Sequence, residues 1–146
     1  MVLKNILLVV SDMERAKHFY RTLFGLEVTA DFGENVILMQ RLVLQERQSW
    51  EMATGREAKG GGNDTELYFE ESDMDAFLQK LEDDEFAGSY LNHCVERDWG
   101  QRMVRICDPD GHVIEVGESS AAVKRRLEHQ GLTPEQIATK MHLPPE

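Results

Sequence analysis

The chain has 146 residues, 41% of them hydrophobic and 29% charged, which is enough for one domain with a real core. Its 27 acidic residues outnumber 16 basic ones for a net charge of −11, which argues against a nucleic-acid backbone as partner. No apolar run approaches the roughly 20 residues of a membrane span. Cys94 and Cys107, in a chain with no stretch that reads as a secretory signal, set the expectation of free thiols in a reducing cytoplasm.

In chain order, Ile6 to Val10 reads as a strand. At Ser11-Asp12 the period changes to that of a helix, with Met13, Ala16, Phe19, Tyr20 and Leu23 on one stripe. Ser11 and Asp12 suit a helix N-cap, and Gly25 suits its C-terminal stop. Three short strands follow, Leu26 to Phe32, Asn35 to Gln40 and Leu42 to Arg47. The second half then begins again. "ELYFEESDMDAFLQKLEDDEF" is strand, Ser-Asp-Met, helix, and Asp73 stands 61 positions after Asp12 at the same junction. Strands at Tyr90 to Glu96, Gln101 to Asp108 and His112 to Glu118 complete the repeat.

Between the halves lies "EMATGREAKGGGND", polar and Gly-rich, which reads as a flexible linker or lid. After the eighth strand come two short helices, the second opened by a Thr133 to Gln136 capping box with Pro134 at its first position. The division is therefore 1–118, made of modules 1–48 and 64–118 with a linker at 49–63, and a C-terminal helical extension at 119–146. The fold class is α+β. The extension also gives a remote regulatory hypothesis, since "GLTPEQIATKMHLP" is similar to part of a helix-turn-helix, although a docking helix is favoured.

The segments "VVSDMERAKHFYRTLFGLEV" and "DWGQRMVRICDPDGHVIEVGE" resemble the vicinal oxygen chelate superfamily, which includes glyoxalases, bleomycin-resistance proteins and extradiol dioxygenases. The resemblance spans residues 3–118. It implies two βαβββ modules that form an open, cleft-bearing mixed sheet, and a homodimer. It does not name a reaction, because one fold hosts many.

Side chains alternate across a strand. By parity Ile114 and Val116 pack inward while Glu115 faces the open side. Likewise Ile6, Leu8 and Val10 pack, as do Leu42 and Leu44, leaving Asn5, Val43, Gln45 and Arg47 opposite. In the fifth strand Leu67 and Phe69 pack, and Glu66 and Tyr68 face out. The family's metal ligands, carried over by position, fall on Asn5, Gln45, Glu66 and Glu115, with Gln45 as the first-module counterpart of Glu115. None is a histidine, which disfavours an Fe(II) dioxygenase with its 2-His-1-carboxylate triad.

Two functional readings follow. In the first, the protein binds a small molecule without a metal, in the manner of bleomycin-resistance proteins. In the second, a divalent ion (Mg, Mn, Zn or Ni) serves a lyase or isomerase in which Glu115 or Glu66 acts as base. Tyr68, Trp99, Arg105 and Arg47 are candidate substrate contacts. For Arg105 and Arg47 the alternative is simple neutralisation of Glu66 and Glu115, and for Cys107 the favoured reading is an inert thiol.

Overall fold

A computed structural model describes residues 1–144. The chain divides into two compact units, 1–65 with 107–112, and 66–106 with 113–146.

In the first unit, β1 (Ile6–Val10) leads into α1 (Met13–Phe24). The Asp12 carboxylate accepts the Arg15 backbone N–H at 3.0 Å and so caps the helix. Gly25, at φ 65°, ends it by donating its N–H back to the last turn, a left-handed geometry that glycine adopts at no cost. The buried stripe is Ala16, Phe19, Tyr20 and Leu23. Each large side chain so buried contributes about 1.5–3 kcal/mol of transfer free energy. There follow β2 (Val28–Asp31), β3 (Asn35–Leu38) and β4 (Leu42–Glu46). The sheet order is β1-β4-β3-β2, with β1 and β4 parallel and the other pairs antiparallel.

Burial confirms most of the parity and changes part of it. Leu8, Val10, Leu42 and Leu44 are buried, but Ile6 is exposed at the strand's mouth, and Val43 is covered as well. The reading of Arg47 as a strand residue is corrected. Arg47 opens α2 (Arg47–Thr54), so the start of the expected linker is helical. The cause is local: the Glu46 carboxylate caps the Gln48 and Ser49 N–H groups, and Gly55, at φ 67°, supplies the left-handed stop.

The second unit repeats the plan with β5 (Glu66–Glu71), α3 (Met74–Leu81), β6 (Tyr90–Glu96), β7 (Arg102–Cys107) and β8 (Val113–Glu118). Asp73 caps α3 as Asp12 caps α1. The order is β5-β8-β7-β6, the same pattern as in the first sheet, with β5 and β8 parallel. Ile114 and Val116 of β8 are buried together with Val104 and Ile106 of β7. Then come α4 (Ser120–His129) and α5 (Pro134–Lys140), the latter with the expected Thr133–Gln136 capping box. Their contact is a small core of Val123, Leu127 and Ile137, edged by Leu132 and Met141. Among the described residues, no helix is long and apolar enough to cross a membrane.

Candidate functional site

The expected site residues divide between the two units. In the first, Asn5 is exposed just ahead of β1. Gln45 is committed at both ends of its amide: the oxygen accepts from the Asn35 amide at 2.6 Å, and the nitrogen donates to the Ser49 hydroxyl. Strand register also changes Gln45's place in the repeat. Tyr68 pairs with Glu115 in β5–β8, and Leu7, 61 positions before Tyr68, pairs with Val43 in β1–β4. The first-unit counterpart of Glu115 is therefore Val43. Gln45 pairs with Val9, two residues further along.

The second unit brings three of the expected residues together. Glu66 on β5, Glu115 on β8 and Arg105 on β7 lie on neighbouring strands. Arg105 donates from Nη2 to Glu115 and from Nε to Glu66, the latter at 3.3 Å. Glu115 lies on the sheet face opposite Ile114 and Val116, yet it is only 6% exposed. Burial pushes its carboxyl above the usual carboxylate range. Arg105 opposes that shift, and the adjoining Glu66 adds to it.

Beside this trio stand two exposed aromatics, Tyr68 (49%) and Trp99 (40%). Gln101 ties them together. It accepts the Trp99 indole N–H at 3.0 Å and donates to the Tyr68 hydroxyl at 3.0 Å and to the Glu118 carbonyl at 2.9 Å. Gly117 leaves the space they occupy, since a Cβ there would stand 2.5 Å from the Tyr68 oxygen and 2.9 Å from the Gln101 amide nitrogen. Sequence reading passed over Gln101. The available signal was its parity, which matches Arg105's along the same strand direction.

Arg47 belongs to the first unit. At the head of α2 its Nε is buried without a hydrogen-bond partner among the described residues, and the guanidinium lies beside Gly60. Cys107 is half-buried, and burial pushes its thiol above the ordinary range, away from a thiolate nucleophile. Among the described residues, no three or more His, Cys, Asp or Glu side chains gather as a metal centre would need; the expected set, with its two amides, does not depend on one.

A second polar cluster was not anticipated. In the first unit the Asp108 carboxylate, 4% exposed, accepts from the buried Tyr20 hydroxyl at 2.7 Å and lies 2.7 Å from His112 Nδ1. It also takes the backbone N–H groups of Asp110 and His112. The Asp110 carboxylate accepts from the Ser11 hydroxyl and backbone N–H. This cluster fixes the Asp108-to-Gly111 turn to the start of α1.

The sequence pattern of the glyoxalase-like domain family matches residues 3–121. Among solved structures, a protein of unknown function from Agrobacterium tumefaciens str. C58 is 35% identical, covering 82% of this chain and 94% of that one at a TM-score of 0.70. A lactoylglutathione lyase from Agrobacterium tumefaciens is 26% identical, covering 82% and 95% at a TM-score of 0.59. A glyoxalase-related enzyme from Fulvimarina pelagi, 20% identical over 81% and 88% at a TM-score of 0.68, shares the fold. No curated protein matches the chain.

Proposed function

Because the chain belongs to the glyoxalase-like domain family, we propose that it binds a small organic molecule on the face of the second sheet that carries Glu66, Tyr68 and Trp99, with no resident metal ion. The observation that carries this reading is the Arg105 guanidinium, which already supplies the positive charge that Glu115 and Glu66 share. A divalent ion would have to displace it and leave a cation beside a cation. Two further features support the reading. In the first unit the apolar Val43 holds the place that Glu115 has in the second, and the Gln45 amide is spent on Asn35 and Ser49. The residues therefore fit a divalent ion poorly.

The ligand class follows from what stays accessible. Tyr68 and Trp99 offer rigid aromatic surface at little entropic cost. Glu66 keeps part of its carboxylate open, with its side chain 40% exposed and one oxygen engaged by Arg105 Nε. A planar molecule bearing a cationic or N–H group matches both. The test uses proflavine, a planar cation, and anilinonaphthalene sulfonate, a planar anion. Proflavine is expected to raise the melting temperature by mass action, less so in Tyr68→Ala and Glu66→Gln. Equal binding of the two dyes would overturn the assigned charge preference. Failure of both would sink the reading.

Proton transfer by Glu115, as in a lyase or isomerase, is a second reading favoured by one observation: this carboxyl is buried and held above the usual range. The expected sign is an infrared band of the protonated acid that persists above the ordinary carboxyl range and is lost in Glu115→Gln. Its absence removes this reading.

A further inference from the structure

We propose that Arg126, on α4 of the C-terminal extension, is a positioning residue for Trp99, so that the extension sets the affinity of the ligand face; the ligand part of this rests on the function proposed above. Arg126 lies beyond the segment that matches the family pattern, which ends at residue 121.

Trp99 sits in the turn between β6 and β7. That turn is closed by two backbone bonds, Gly100 N–H to the Arg97 carbonyl and Arg97 N–H to the Gln101 carbonyl, both at 2.8 Å. Fixing Gly100 therefore leaves Trp99 little backbone freedom. The extension fixes Gly100 in two ways. Arg126 Nη2 donates to the Gly100 carbonyl. The glycine itself, at φ 88°, lies so close to α4 and α5 that a Cβ would stand 3.2 Å from Lys140 Cε, 3.3 Å from Leu127 Cδ1 and 3.4 Å from Val123 Cγ1.

Arg126 is itself held firmly. Its Nε and Nη2 engage the buried Glu118 carboxylate at 3.1 and 2.9 Å, and Nη1 reaches Glu96 at 3.4 Å. Glu118 is also bound by Arg102 at 3.1 Å, which joins the same carboxylate to the sheet. A forked guanidinium can serve carbonyl and carboxylate together, which a lysine ammonium cannot do in that geometry. Trp99 is thus tied twice, at its indole by Gln101 and at its backbone by Arg126 through Gly100. A side chain ordered before binding loses less entropy when a ligand arrives.

The experiment places Arg126→Gln and Arg126→Lys in a Trp50→Phe background, where Trp99 is the sole indole. Time-resolved anisotropy of Trp99 is read without ligand, at a temperature where every variant is folded. Leu23→Ala, which truncates the buried stripe of α1 in the first unit, serves as the structural control. Arg126→Gln is expected to increase the fast motion of Trp99, Arg126→Lys to do so less, and Leu23→Ala to leave it unchanged. Proflavine affinity is expected to fall about fivefold in Arg126→Gln, as for one side chain that must be immobilised on binding. Unchanged Trp99 motion in Arg126→Gln, or an equal change in Leu23→Ala, would overturn the positioning role. Unchanged proflavine affinity in a variant with loosened Trp99 would overturn the claim on affinity. If the parent itself does not bind proflavine while Trp99 still loosens in Arg126→Gln, the ligand reading fails and the positioning role stands.

Discussion

Arg105 donates to Glu115 through Nη2 and to Glu66 through Nε, so two carboxylates on adjacent strands share one cation. Glu115 is nearly inaccessible, and it tolerates its charge only because of that contact. Arg105→Gln should therefore destabilise the protein by about 2–3 kcal/mol at neutral pH, less than for a fully buried pair because Glu66 is partly solvated. The pH dependence has a definite sign. A carboxyl whose folded pKa is raised contributes stability that is complete below the ordinary carboxylate range and is lost as pH rises through the folded value. Without Arg105 the folded value rises further, so the variant should recover part of its deficit as the pH is lowered toward the carboxylate range. Denaturant unfolding across that range checks this; a deficit independent of pH would speak against the pairing.

Gly117 is the floor beneath Tyr68 and Gln101. Gly117→Ala puts a methyl group against the Tyr68 hydroxyl and the Gln101 amide, both at the ends of side chains that can swing away. The cost to stability should be modest, about 1–2 kcal/mol. The effect on proflavine binding should be larger in proportion, since the aromatic pair loses its arrangement. Calorimetry and a dye titration on the same variant check both. Full retention of affinity would show that Tyr68 does not take part.

The Tyr20–Asp108–His112 cluster makes a prediction on the alkaline side. The hydrogen bond to Asp108 holds His112 above its ordinary value of 6.5. This contribution is complete below about pH 6.5 and is lost as pH rises through the elevated folded value. Burial pushes the Asp108 carboxyl up, but hydrogen bonds from His112 and Tyr20 outweigh it and hold the carboxyl low, so its contribution is lost as pH falls below about 3.8. His112→Gln should abolish the alkaline decline and cost about 1.5–3 kcal/mol near pH 6, where the charge-assisted bond is intact. Tyr20→Phe should cost about 1–3 kcal/mol by leaving a buried carboxylate oxygen short of a donor. Melting curves of both variants from pH 5 to roughly pH 9 provide the check, and a wild type whose stability is flat over that interval would contradict the assignment.

Much of the fold is written in local chemistry. Asp12 and Asp73 announce the two helices because a short acceptor before an amphipathic run has a cap to make. Gly25 marks its own stop. The helix at Arg47 was hidden because its cap is a glutamate and its first residues continue an alternating strand pattern. Parity was sufficient to put Glu115 on the face opposite the core. Its burial depends on Arg105, which belongs to another strand, and strand pairing is not a local property. The same limit explains Gln45. Position counting set it opposite Glu115, whereas the register gives that place to Val43. Arg126 had no local signal at all, because its meaning comes from Gly100 and Glu118, which reach it only through the folded sheet.

We propose that Arg105, and no resident ion, balances Glu115 and Glu66. Equilibrium dialysis of the full chain against Mg²⁺, Mn²⁺, Zn²⁺ and Ni²⁺, with bound metal counted per chain, tests it most directly. No stoichiometric ion whose retention depends on Glu115 is expected. One ion retained per chain by the parent protein and lost in Glu115→Ala would contradict it.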